Sequence, residues 1–135
     1  MRVGPITRTD IVRYAGAGGD FNPVHHDDVY ARSLGLPGVF AMGLLGAGYL
    51  SRVLAAEFGA STVQKYTVRF RAQIWPGETL DLAIDDSEPT EQDDVRRVRL
   101  SARNDSGELK ITAEALVRVT TSPATPDTMT TEENS

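Results

Sequence analysis

Two side chains that move protons near neutral pH lie five positions apart in a short polar stretch, Gly19-Asp20-Phe21-Asn22-Pro23-Val24-His25-His26-Asp27-Asp28. Imidazole is the side-chain group suited to act as acid or base at physiological pH, and His25 supplies one. The carboxyl group of Asp20 is its natural complement. Asn22-Pro23 is a turn signal that bends the chain between them, so both side chains can enter one cleft. Asn22 is expected to hydrogen-bond within the loop and fix its shape. Such a pair suits a reaction that takes one proton and delivers another. A third part is Gly43, expected at the start of a long apolar helix. A helix N-terminus offers unpaired N–H groups and partial positive charge, which suit an oxygen gaining negative charge. Glycine lets that oxygen come close. Ser51, two turns along the same helix, is a candidate pocket residue or an ordinary packed helix serine.

Plainer readings exist for each residue. Asp20 could cap a turn, and His25 could be a surface residue. A metal site at His25, His26, Asp27 and Asp28 is disfavoured, because adjacent histidines seldom converge on one ion and no second ligand cluster is present. His26, Asp27 and Asp28 read as solvent-facing or capping. Neither a metal nor a cofactor is expected.

The elements around these residues follow from the pattern. Thr7 and Asp10 form a capping-box start, and Ile11, Val12, Tyr14 and Ala15 give one apolar stripe, so a helix is predicted from about Arg8 to Ala17, ended by glycines. Asp27 caps a second short helix that Gly35 ends. The segment Gly43 to Phe58 is apolar on most sides and ends at Gly59, the signature of a buried helix. Gly46 and Gly48 within it read as packing positions.

From Thr62 the period becomes two. Val68, Phe70, Ala72 and Ile74 alternate with Thr67, Arg69, Arg71 and Gln73. Trp75-Pro76-Gly77-Glu78 is a turn. Leu80, Leu82 and Ile84 mark a strand, a polar loop follows from about Asp85 to Asp93, Val98, Leu100 and Ala102 mark another, and Leu109 to Val119 the last, after the turn Asn104-Asp105-Ser106-Gly107. Consecutive strands joined by short turns make an antiparallel sheet. The expected fold is α+β, a curved antiparallel sheet wrapped around one long helix. Residues 1–119 form the domain, and the Thr/Pro/Ser/Glu-rich stretch 120–135 is expected to be disordered.

With 135 residues, the chain has the size of one domain and can bury a core without disulfide or metal. It has no cysteine, which excludes a thiol nucleophile. The net charge of −5 argues against nucleic acid as a partner. Arginines nevertheless gather on strand-like stretches, Arg69 and Arg71 among them. These two read as the solvated face of a strand or as contacts for a coenzyme or carrier-protein phosphate. No secretory signal or membrane-length apolar run is visible, so a cytoplasmic location is expected.

The stretch Gly-Asp-Phe-Asn-Pro-Val-His-His-Asp at residues 19–27 resembles the hydratase motif of the MaoC-like, hot-dog-fold enoyl-thioester hydratases. Pro37 to Leu45 is similar to the start of their central helix, and Val68-Arg69-Phe70-Arg71 with Trp75-Pro76-Gly77-Glu78 is similar to their second strand and the turn after it. The resemblance runs from about Ile6 to Val119. It implies reversible hydration of a trans-2-enoyl thioester to an (R)-3-hydroxyacyl thioester, with the acyl chain on coenzyme A or an acyl carrier protein. It implies that Asp20 and His25 are the catalytic pair, with the division of labour between them open. It implies a homodimer, or a heterodimer with another hot-dog subunit, the two sheets joined edge to edge. A tailoring enzyme acting on a polyketide-like intermediate, a thioesterase and a non-catalytic partner subunit are the alternatives. Only Met1 to Ile6 precede the first helix, so a first strand is expected to be short or formed differently, and Met42 stands where many relatives carry histidine.

Overall fold

The computed structural model describes residues 1–120. Its elements run β1 (Arg2–Val3), α1 (Arg8–Gly18), α2 (Asp28–Ser33), α3 (Gly43–Phe58), β2 (Val63–Phe70), β3 (Leu80–Pro89), β4 (Val95–Arg103) and β5 (Leu109–Arg118). The sheet is antiparallel throughout, in the order β1-β3-β4-β5-β2. The expectation of a disordered tail falls, beyond Thr120, outside the described residues.

Local chemistry sets the helix boundaries. The Thr7 hydroxyl accepts from the Asp10 amide and the Asp10 carboxylate accepts from the Thr7 amide, which satisfies two N-terminal donors of α1 reciprocally. Gly19, at φ 71°, ends the helix in the left-handed region and turns the chain into Asp20. Asp27 caps α2 through the Tyr30 amide. Asp28 does more than face solvent: it pairs with Arg8 at 2.9 Å and accepts from the Val39 amide, tying α1, α2 and the loop before α3 together.

The core lies between α3 and one face of the sheet. Leu50 and Leu54 pack with Leu80, Leu82, Val98, Leu100 and Val117, all essentially sealed from solvent. Alanines at 102, 113 and 115 leave room for the helix backbone. Gly46 is where the approach is closest, since a Cβ there would stand 2.5 Å from Ile111 Cδ1 and 2.7 Å from Ile74 Cδ1. Gly48 differs: it is exposed, and a Cβ added there would meet nothing within 4 Å, so the packing reading holds for Gly46 and not for Gly48 in this chain. The Tyr66 hydroxyl donates to the Ala47 carbonyl at 2.8 Å, and burial pushes its pKa up to about 12.

Two strand ends differ from the sequence expectation. β3 continues to Pro89 past a register shift between Ile84 and Asp86, instead of giving way to a loop at Asp85. Past the shift its side chains are mostly exposed, so hydrophobic alternation is lost while the backbone ladder persists. Arg99 pairs with Asp86 and Glu88 across this extension. β2, by contrast, stops at Phe70 rather than running to Ile74. The amides of Arg71 and Ala72 both donate to the Lys110 carbonyl, at 2.8 and 3.3 Å, and the chain then crosses to bridge Ala41 through Ile74.

Lys110 fastens this crossing segment. Its ammonium is sealed in the fold, donates to the Gln73 carbonyl at 2.8 Å, and pairs with Glu78 at 3.1 Å and with Glu108. Burial pushes the Glu78 carboxyl up, but hydrogen bonds from Asn104, from the Trp75 amide and from Lys110, with the Lys110 charge, outweigh it and hold its pKa below the ordinary value of 4.5. Lys110→Met should lower the unfolding free energy by about 3 kcal/mol, measured by urea denaturation, because it strands Glu78 and the Gln73 carbonyl without their shared donor. The Glu78 shift also has a sign. A carboxylate held low in the folded state binds fewer protons than in the unfolded chain, so its contribution is complete above the ordinary value and is lost as pH falls through the folded one. Thermal denaturation followed from pH 6 downward should show that acid loss, and Glu78→Gln should flatten it.

Candidate active site

The chain leaves α1 through Gly19 and enters a sequence of nested turns that set Asp20 against His25. The Asp20 carboxylate accepts from the Asn22 amide at 3.2 Å, and the Asn22 side-chain oxygen accepts from the Val24 amide at 3.2 Å. Asn22 thereby caps a single 3₁₀ turn, Pro23–His25, in which the His25 amide donates to the Asn22 carbonyl. Loop shaping by Asn22, expected from its residue type, is what the hydrogen bonds show.

The His25 ring is 8% exposed. Its Nδ1 lies 2.7 Å from the Phe40 carbonyl oxygen. A carbonyl only accepts, so Nδ1 carries the proton, and Nε2 of the neutral ring keeps a free lone pair. Nε2 is 3.5 Å from Asp20 Oδ2. Phe40 packs edge-on against the imidazole, with ring centres 5.0 Å apart, and Trp75 packs edge-on against Phe40. The imidazole is thus fixed by a hydrogen bond and an aromatic wall, while Asp20, 46% exposed, stands at the solvent side of the pair.

Asp20, Asn22, His25 and Gly43 all line one cavity of about 560 Å³, and Met42 borders it too. Gly43 is the first residue of α3. Met42, at the N-cap position, supplies no side-chain cap, and the amides of Gly43 and Leu44 have no hydrogen-bond acceptor among the described residues. The Phe70 ring lies over Gly43, where a Cβ would fall 2.7 Å from its Cε1. Glycine here serves a close approach of ring and backbone as well as access to the amide. The arrangement offers a proton-transfer pair and an open helix terminus inside one half-apolar cleft, the usual composition of a small-molecule site.

Ser51 is not brought to this cavity. Its hydroxyl donates back to the Gly48 carbonyl at 2.7 Å, and it is absent from the lining. His26 is exposed, with Nε2 3.3 Å from the Phe21 carbonyl. Among the described residues no three His, Asp or Glu side chains gather to hold a metal ion, and no helix is long and apolar enough to cross a membrane.

Sequence reasoning misses four contributors. Alternation groups Phe70 with Val68, but the ring is 53% exposed and forms cavity wall. The Phe40 carbonyl orients His25, and a backbone group has no residue-type signal. Arg71 and Gln73 join the lining because β2 ends early.

The MaoC-like domain family matches residues 3–107 of the chain. The chain is 36% identical over 92 residues to 3-hydroxyacyl-thioester dehydratase Y of Mycobacterium tuberculosis, a match covering 65% of this chain and 32% of that protein. It is 31% identical over 118 residues to 3-hydroxybutyryl-CoA dehydratase of Methylorubrum extorquens, covering 84% of this chain and 73% of the relative. Among solved structures it is similar to the ChsH1-ChsH2 complex of Mycobacterium tuberculosis, with a TM-score of 0.77 at 23% identity, covering 89% of this chain and 92% of that one. The chain thus spans about a third of the length of the mycobacterial dehydratase and most of the Methylorubrum one.

Proposed function

The chain belongs to the MaoC-like domain family and has its hot-dog fold, and from that premise we propose that it catalyses the reversible syn hydration of a trans-2-enoyl thioester to an (R)-3-hydroxyacyl thioester. The observation that carries the proposal is the 3.5 Å approach of His25 Nε2 to Asp20 Oδ2 in the cavity that Gly43 also lines.

The chemistry follows from those positions. In hydration, the Asp20 carboxylate takes a proton from water as the hydroxide oxygen bonds to the β-carbon. The electron pair of the double bond moves toward the thioester oxygen, where the Gly43 amide stabilises the developing charge. Protonated His25 delivers its Nε2 proton to the α-carbon as that pair returns. The products are the hydroxyacyl thioester, neutral imidazole and protonated Asp20. Transfer of that proton from Asp20 to Nε2 restores the starting pair. Dehydration is the same path reversed. Asn22 holds the loop in register and touches no reacting atom. The fixed Nδ1–H···O=C bond to Phe40 supports this split, because it leaves Nε2 as the one imidazole atom free to exchange a proton.

The name of the Methylorubrum relative extends the proposal to coenzyme A as the carrier, and the motif resemblance adds an acyl carrier protein as the alternative. The solved neighbour is a complex of two different chains, and β2 lies at an edge of the sheet. We accordingly place this chain in a homodimer, or in a heterodimer with a second hot-dog subunit, in the cytoplasm. The test is spectrophotometric. Crotonyl-coenzyme A mixed with the protein should lose its conjugated-thioester absorbance without release of free thiol. Thiol release would make the protein a thioesterase, and no reaction with or without a partner chain would remove the hydratase reading.

A further inference from the structure

A second concave surface lies on the opposite face of β2. Side chains at alternate positions of a strand share a face, so Lys65, Arg69 and, just past the strand, Arg71 point to one side. They line a groove of about 390 Å³ with Arg99, Thr112 and Glu114. Glu114 is the one carboxylate there, and Arg97 and Arg99 already hold its oxygens. Lys65 and Arg69 have no hydrogen-bond or ion-pair partner among the described residues, and Arg71 has only the Thr112 hydroxyl, at 3.2 Å.

What sets the three apart is that they share one groove: Arg13, Arg32, Arg52, Arg96 and Arg103 likewise have no carboxylate within 4.0 Å among the described residues, but none of them lines it. Arg2, Arg8, Arg97, Arg99 and Arg118 each have a carboxylate within 4.0 Å. In a protein of net charge −5, three cations without a counter-charge in one groove repel one another and favour an anion from outside. The groove also has a defined neighbour. Arg71 lines both it and the catalytic cavity, so the groove begins where that cavity opens.

We propose that the Lys65–Arg69–Arg71 groove binds the phosphates of coenzyme A. The proposal rests on the thioester reading above. On that reading, the pantetheine arm of a thioester whose carbonyl lies at Gly43 leaves the cavity beside Arg71, the cation that lines both cavity and groove. Six residues of extended chain span roughly 20 Å, which spreads the three cations over the reach of a nucleotide end. Coenzyme A carries a diphosphate and a 3′-phosphate and can meet all three. The arm of a carrier protein carries a single phosphodiester and can meet one.

The experiment compares crotonyl thioesters of coenzyme A, phosphopantetheine and pantetheine, with 3′,5′-ADP titrated separately by calorimetry. The coenzyme A thioester should exceed the phosphopantetheine thioester in kcat/KM by at least about tenfold, chiefly through KM, with a preference that salt erodes. Lys65→Gln with Arg69→Gln, both exposed positions, should bring the two substrates within about threefold and weaken 3′,5′-ADP binding at least about tenfold. Equal kcat/KM for coenzyme A and phosphopantetheine in the unaltered protein would overturn the proposal, as would failure to bind 3′,5′-ADP. A protein inert toward all three thioesters that still binds 3′,5′-ADP through these residues would lose the hydratase reading and keep the groove.

Discussion

Asp20→Asn should lower kcat for hydration of crotonyl-coenzyme A by about a thousandfold, within the range expected when a positioned acid–base group is lost. The substitution is chosen to leave the fold alone. Asp20 is 46% exposed, and its structural contact is acceptance of the Asn22 amide hydrogen bond, which a carboxamide oxygen can still make. What asparagine cannot do is take a proton from water at neutral pH. His25→Gln should have a comparable effect, since a glutamine amide can meet the Phe40 carbonyl but offers nothing that protonates near pH 7. The double variant should be barely slower than either single one, because the two groups exchange one proton in a shared cycle and losing either stops it. Steady-state rates for the three variants, beside their melting temperatures, make the check. More than a tenth of normal kcat in Asp20→Asn, with an unchanged melting temperature, would remove Asp20 from the mechanism. Additive losses in the double variant would mean that the two residues act independently.

The parts of this architecture that were legible in the sequence are those whose physics is local. Thr7 with Asp10, Asp27 and Gly59 mark helix ends because a cap is a contact between residues three or four apart. The Asp20–His25 loop was legible for the same reason: Asn22 and Pro23 shape a turn within five residues. What was hidden depends on residues far apart in the chain. Glu108 is a nearby partner of Lys110, but it does not announce a sealed ammonium, because the cover comes with Gln73 and Glu78, from a segment more than thirty residues away. The period that places Ile111 and Ala113 inward puts Lys110 on the other face, where solvent is the default and the crossing segment happens to cover it. Phe70 misled in the opposite sense, since alternation tells which face a side chain takes but not whether that face, at a strand's end, opens into a cavity. Ser51 shows a third limit. Two turns along a helix is about 12 Å of rise, and Ser51 does not line the cleft; its hydroxyl donates to the Gly48 carbonyl instead. The strand extension from Asp85 to Pro89 was invisible because hydrophobic period reports burial, and that stretch is held by its ladder and by arginine–carboxylate pairs in solvent.

Gly43→Pro tests the remaining part of the proposed mechanism, and it should lower kcat by a factor of about 10²–10³, the loss expected when one oxyanion donor is removed. Proline deletes the amide hydrogen and leaves the helix start compatible in backbone conformation. The first residue of a helix has no intrahelical partner for its N–H, and proline is favoured there. The preceding residue, Met42, already has φ −60° and ψ 137°, the extended conformation that a following proline requires. Two steric consequences follow: the added Cβ would fall 2.7 Å from the Phe70 ring, and the proline Cδ takes the place of the amide hydrogen. The Phe70 ring is more than half exposed and can swing away, but its displacement could by itself disturb the cavity. Gly43→Ala separates the two effects, because alanine adds the same Cβ and keeps the N–H. If the amide carries the charge of the transition state, Gly43→Ala should lose far less in kcat than Gly43→Pro, and the gap between them sets an upper bound on the hydrogen bond, since the proline Cδ also stands where the amide hydrogen was. If the two variants are equally slow, the ring contact explains both, and stabilisation of the thioester oxygen must come from another donor, with the Leu44 amide, likewise without an acceptor, next in line along the same helix terminus.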